Sequence, residues 1–131
     1  TGHSKRALRG AAHLGDGSHP VGANPAVPLP PAELRALLDE LYRLADAHGR
    51  DPKSLTISYK APVYDLGEPV LGPGGQRRPF SGGAAQVADD IATFARLGVS
   101  EIVFDFRTES LAESLERMER FGPVIRQTAS L

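Results

Sequence analysis

The chain contains no cysteine. That excludes a disulfide framework and any thiolate metal site. No uninterrupted apolar run approaches the ~20 residues of a membrane span. No basic segment followed by an apolar core opens the chain, as a secretory signal would require. An excess of charge of one sign is also lacking: 15 Lys and Arg face 16 Asp and Glu, for a net charge of -1. No global field therefore draws in nucleic acid or an anionic membrane. The arginines form no basic stripe interleaved with aromatics, which again argues against nucleic acid. The histidines His3, His13, His19 and His48 lack the spacing of a metal motif such as H-E-x-x-H. No Ser-His-Asp set can be argued from the residue order. What remains is the expectation of a soluble, cytoplasmic domain; 131 residues suffice for one core but not for two.

Periodicity supplies the elements. Lys5 to Leu14 places Ala7, Leu8, Ala11, Ala12 and Leu14 on one helical face, with Gly15 as a stop. Gly17 to Pro31 carries five prolines and is expected to be largely loop, with room for a very short strand near Asp16 to Val21. Pro31 suits the first turn of the next helix. Leu34, Leu37, Leu38, Leu41 and Leu44 follow the helical repeat until Gly49. Leu55 to Tyr59 alternates as a strand does. Residues 62–83 are rich in Gly and Pro and read as a long irregular loop. Val87, Ile91, Phe94 and Leu97 mark a third helix ending at Gly98. Val99 to Phe106 reads as a strand buried on both faces. Ser110 to Glu113 forms a capping box, and Leu111, Leu115, Met118 and Ile125 are expected to face the core of a last helix. Strands alternating with amphipathic helices imply a parallel sheet with right-handed crossovers.

Three constellations have chemical potential. Gly2-His3-Ser4 forms a tight turn feeding a helix N-terminus, where unpaired N–H groups and the helix dipole favour an anion. Ser4 has two readings, a hydroxyl for phosphate or a simple helix cap. Arg77-Arg78 with Gly82-Gly83 offers guanidinium groups and a glycine-rich helix start, against a solvated loop as the plainer reading. Asp105 and Arg107 stand at the end of the last strand, where parallel folds gather functional groups, although Asp105 could equally hold Arg107 or cap the next helix. Asp89-Asp90 reads as a solvated helix face, and His48 as a histidine favourable to a helix C-terminus.

Taken in order, Gly2-His3-Ser4, Ala7-Leu8-Arg9, Ala11-Ala12 and Leu14-Gly15-Asp16-Gly17 resemble a stretch of the luciferase-like monooxygenase family. So do Gly49-Arg50-Asp51-Pro52 before a strand, Gln86 to Ile91 running on to Leu97-Gly98-Val99, and Val103-Phe104-Asp105-Phe106-Arg107. The first and last of these look most like the deazaflavin branch, which uses coenzyme F420; the FMN branch shares much of the pattern. The chain departs from the family where Thr1 replaces a Gly, Ser18 a Trp and Gly10 a common Arg, and where Gly82-Gly83-Ala84 stands for Gly-Thr-Pro.

The resemblance implies an α/β fold that is part of a (β/α)₈ TIM barrel, roughly its last three strands with their helices. It makes residues 1–131 the C-terminal portion of such a barrel, with 62–83 as the variable loop after the seventh strand. It implies an oxidoreductase that uses coenzyme F420 or FMN, for hydride transfer or monooxygenation of a small organic substrate. Gly2, His3 and Ser4 would then hold the cofactor phosphate. Family members place the groups that act on substrate largely on earlier strands, so no catalytic residue is implied here. A homo-oligomer is compatible with this picture. Two alternatives stand beside it: a non-enzymatic half-barrel interaction module, and a different phosphate-binding barrel enzyme whose site lies near Arg77, Arg78 and Gly82.

Overall fold

A computed structural model describes residues 3–24, 28–62 and 66–128. The elements run α1 (Lys5–Leu14), β1 (Gly17–Ser18), α2 (Pro31–Ala47), β2 (Thr56–Lys60), α3 (Ala84–Arg96), β3 (Glu101–Val103) and α4 (Leu111–Thr128), with a 3₁₀ turn at Pro52–Ser54. The chain divides into two compact units, residues 1–61 with 95–103, and residues 62–94 with 104–131.

The first unit is a three-stranded, all-parallel open sheet in chain order β1-β2-β3. β1 pairs Gly17 with Thr56 and Ser18 with Ile57. The same register returns as a bridge from Val21 to Lys60. Pro20 accounts for the interruption, because it has no N–H to give the ladder. The short strand expected near Asp16 to Val21 is thus present, broken at His19 and Pro20. β2 alternates as expected: Ile57 and Tyr59 are buried, while Thr56 is exposed and Ser58 and Lys60 are half-exposed. α2 contributes Leu34, Leu38, Leu41 and Ala45 to the core. Each of those leucines stabilises the fold by about 1.5–3 kcal/mol relative to exposure. α2 starts on Pro31 at its first turn and ends before Gly49, whose φ of 72° is a left-handed value that glycine adopts without strain. α1 buries Leu8 and Ala12, but Leu14 is exposed. Leu14 follows Ala12 by two residues, about 200° round the helix, and so points away from the buried face.

The second unit collects all five phenylalanines. Phe80 packs on Phe94 and Phe104 at ring-centroid distances of 4.7 and 5.6 Å. Phe121 packs on Phe104 and Phe106 at 4.6 and 5.0 Å. This cluster corrects the strand expected over Val99 to Phe106. β3 stops at Val103, its residues are exposed or half-buried, and Phe104 and Phe106 turn their rings to Phe121 instead of extending the ladder. A second correction concerns α4. Leu111, Leu115, Met118 and Ile125 are exposed, and Phe121 and Val124 are buried in their place. The helix carries two neighbouring apolar stripes, and the aromatic cluster takes the one bearing Phe121. Within the loop expected over 62–83, the stretch 70–78 is more ordered than its composition suggests. Leu71 bridges Arg77 in an antiparallel pair, and Arg78 N–H donates to the Val70 carbonyl at 2.8 Å, making a small hairpin around Gly75.

Candidate functional site

The first candidate grows from the start of α1. Ser4 is extended, and its Oγ accepts from the Ala7 N–H at 3.2 Å; its carbonyl accepts from Leu8 N–H at 3.0 Å. The capping role read from the sequence is therefore filled. It satisfies one of the free donors of the first turn. Among the described residues the backbone N–H groups of Lys5 and Arg6 have no acceptor, and the first turn contains no acidic side chain. Two cationic side chains at the positive end of a helix are unfavourably placed unless an anion joins them. Gly2 lies outside the described residues.

His3 sits at the C-terminal end of the sheet. Its Nε2 accepts from the Val21 N–H at 3.0 Å. Val21 is the residue that bridges Lys60, and Gly22 N–H donates to the Lys60 carbonyl at 2.9 Å. His3 thereby ties the turn to the ends of β1 and β2, where parallel α/β folds bind ligands. An accepting Nε2 is unprotonated, so the proton of the neutral ring is on Nδ1. Burial lowers the His3 pKa from its ordinary value, with Glu33 working the other way. No residue pattern announces this long-range bond, or Lys60 as a cation at the same strand end. The signal available was position: Lys60 closes an alternating strand.

Gly22 shows how closely the chain crosses here. A Cβ on it would overlap the Tyr59 hydroxyl. That hydroxyl is fixed, because it donates to the Leu29 carbonyl at 3.1 Å and the ring is buried.

The other constellations have structural partners. Arg77 makes a fork to Asp90, Nη1 to Oδ2 at 2.8 Å and Nη2 to Oδ1 at 2.7 Å, and Nη1 also donates to the Ser81 carbonyl at 2.7 Å. Its pKa is raised, chiefly by the hydrogen bond to Asp90. Asp90 further accepts from the Phe80 N–H at 2.7 Å, so it is a loop anchor and not a solvated face. Gln86 caps α3 from inside by accepting from Gly83 N–H at 2.9 Å, which makes good the missing capping residue there. Asp105 holds Arg107 through its side chain, with Nη2 to Oδ2 at 2.6 Å, and also accepts from the Arg107 N–H. Arg50 donates to the Gly15 carbonyl and lies 3.9 Å from Asp16, so the segments 49–52 and 14–17 meet in space.

Two hollows lie in the first unit. One of about 450 Å³ is lined by Tyr42, Pro52, Lys53, Leu55 and Gly98. The other, about 280 Å³, is lined by residues 16–19 with Thr56 and Ser58, and there His19 Nδ1 lies 3.0 Å from Ser58 Oγ. Neither is lined by His3 or Ser4. The first is lined by residues that precede β2 and β3, at the N-terminal ends of those strands, and the second runs along β1. Compared with known proteins, the sequence matches no family model and no curated protein.

Proposed function

We propose that the chain is the C-terminal part of a (β/α)₈ barrel oxidoreductase of the luciferase-like type, using coenzyme F420 or FMN on a small organic substrate. The observation that carries this reading is the turn at His3-Ser4. It lies at the C-terminal end of an all-parallel sheet whose strands neighbour one another in chain order. Barrels have that order, whereas doubly wound sheets reverse it at a switch point. The free N–H groups of Lys5 and Arg6 fit a phosphate, and Ser4 would add its hydroxyl. Gly2, which the same reading includes, lies outside the described residues. The bound cofactor would supply the hydride or oxygen chemistry. These residues hold its phosphate and fix its orientation. A cytoplasmic location accords with the same reading, and among the described residues no helix is long and apolar enough to cross a membrane.

Ser4→Asp separates the two roles of Ser4, because Asp caps a helix as well as Ser but repels phosphate. Titration of coenzyme F420 and FMN should show binding of one of them, weakened at least about tenfold in Ser4→Asp, at the ~1.4 kcal/mol expected of a charge-assisted bond. Binding of neither cofactor sinks the proposal.

One observation favours a second reading, the non-enzymatic interaction module: the uncovered stripe Leu111, Leu115, Met118 and Ile125 on α4. Stripes of this kind mark contact surfaces. A sedimentation experiment showing a strict monomer at high concentration counts against self-association through it. The phosphate-binding alternative at Arg77 is disfavoured, because the Arg77 guanidinium is already occupied by Asp90 and Ser81.

A further inference from the structure

His13 stands in the last turn of α1 and His48 caps the C-terminus of α2. Both are exposed, and their ring centroids lie 4.9 Å apart with the planes tilted by 56°. We propose that these two imidazoles form a binding site for a borderline-soft divalent cation of the zinc type.

Three features converge on it. The first is spacing. A zinc ion lies about 2.0–2.1 Å from a ligating ring nitrogen, hence about 3.2 Å from the ring centroid. Two rings subtending a tetrahedral angle at the metal then have centroids about 5 Å apart. The observed pair has that separation, and the tilt distinguishes it from a parallel stack. The second is the tautomer. His48 Nδ1 lies 2.7 Å from the Leu44 carbonyl oxygen, and a carbonyl can only accept. In the neutral ring the proton is therefore on Nδ1, and Nε2 presents a lone pair. A backbone carbonyl behind the second nitrogen is the usual support of a metal-bound histidine. The third is the field. The negative ends of two helix dipoles meet at this pair, which favours a cation.

Among the described residues no cluster of three or more His, Asp or Glu is placed to hold a metal. The site therefore has two protein ligands, with water completing the shell. Imidazole pairs suit zinc and its neighbours and not magnesium. Occupation would pin the C-terminal ends of α1 and α2 to each other.

Calorimetric titration of the chain with Zn²⁺ tests this directly. The expected result is saturable binding of one ion, weakened at least about tenfold in His13→Ala and in His48→Ala, as loss of a ligand or its support does. The ring resonances of His13 and His48 should shift together, and His19→Gln should bind as the wild type does. Absence of saturable binding overturns the proposal. So does either single variant that binds with wild-type affinity, or Mg²⁺ that competes equally.

Discussion

Replacement of Asp90 by Asn should be far more damaging than a surface position on α3 would suggest. The carboxylate accepts three hydrogen bonds, two from Arg77 and one from the Phe80 N–H, all at 2.7–2.8 Å. Asn retains one oxygen of the two and turns an NH₂ toward a donor. A hydrogen bond to a charged group contributes about 1.5–3 kcal/mol, and breaking a buried pair costs about 3–5 kcal/mol. The Arg77 side chain is 27% exposed and that of Asp90 14%, so water relieves part of the loss. A destabilisation of about 2–3 kcal/mol follows once that screening is allowed for. For a chain of this length it lowers Tm by roughly 10 °C. Thermal unfolding followed by circular dichroism measures it. Hydrogen exchange at the Phe80 amide reads the same event locally, because that N–H loses its acceptor. A double-mutant cycle with Arg77→Met should give a coupling above about 1 kcal/mol. A smaller coupling, with unchanged protection at Phe80, would mean that the fork is an ordinary solvated pair and that Arg77 is free for an anion after all.

Other perturbations follow from the same contacts. Gly22→Ala should destabilise by about 1–3 kcal/mol through overlap with the Tyr59 hydroxyl, and adding Tyr59→Phe should recover part of that loss; strict additivity in urea denaturation would show that no such overlap exists. Phe121→Ala removes the ring shared by Phe104 and Phe106 and should cost about 3–5 kcal/mol, measured by the urea midpoint; a cost below about 1 kcal/mol would exclude a packed cluster. His3 has a lowered pKa in the fold, so the unfolded chain binds its proton more readily. Its contribution to stability is complete above the unfolded value of about 6.5 and declines as pH falls from there toward the folded pKa. Wild type should accordingly lose more stability between pH 7 and 5 than His3→Gln, whose amide oxygen can still accept from Val21; equal losses would detach His3 from the pH response.

The helices were legible because their signals are local. Ser4 caps α1 and Pro31 opens α2, as their spacing indicates, and the leucine repeat of α2 marks its buried face. The last strand and helix were not legible in the same way. An apolar run such as Ile102 to Phe106 satisfies a strand pattern whether or not a neighbour is there to pair with it, and the attraction of Phe104 and Phe106 to Phe121 decides the matter from far along the chain. Periodicity likewise finds two apolar stripes on α4 and has no means of choosing between them. At the candidate site, the cap of Ser4 was readable, but the bond from Val21 to His3 joins residues with no shared pattern. The same holds for Arg50, whose motif was visible while its acceptor, the Gly15 carbonyl, was not.

The two ends of the sheet make competing claims on function, and volume and chemistry answer differently. Volume favours the N-terminal end, where the hollow beside Tyr42 reaches about 450 Å³. Its walls are largely the apolar parts of Tyr42, Pro52, Leu55 and Gly98, with Lys53 as the one cation among them. An anionic cofactor needs converging donors more than it needs space, since a phosphate leaves its hydration shell only for hydrogen bonds of equal strength. The start of α1 offers unpaired N–H groups with Lys5 and Arg6, held at the strand ends by His3. On that ground the start of α1, at the C-terminal end of the sheet, is the proposed phosphate site. Ser4→Asp tests this against Lys53→Ala: loss of cofactor affinity in the second variant alone would move the site to the other end of the sheet.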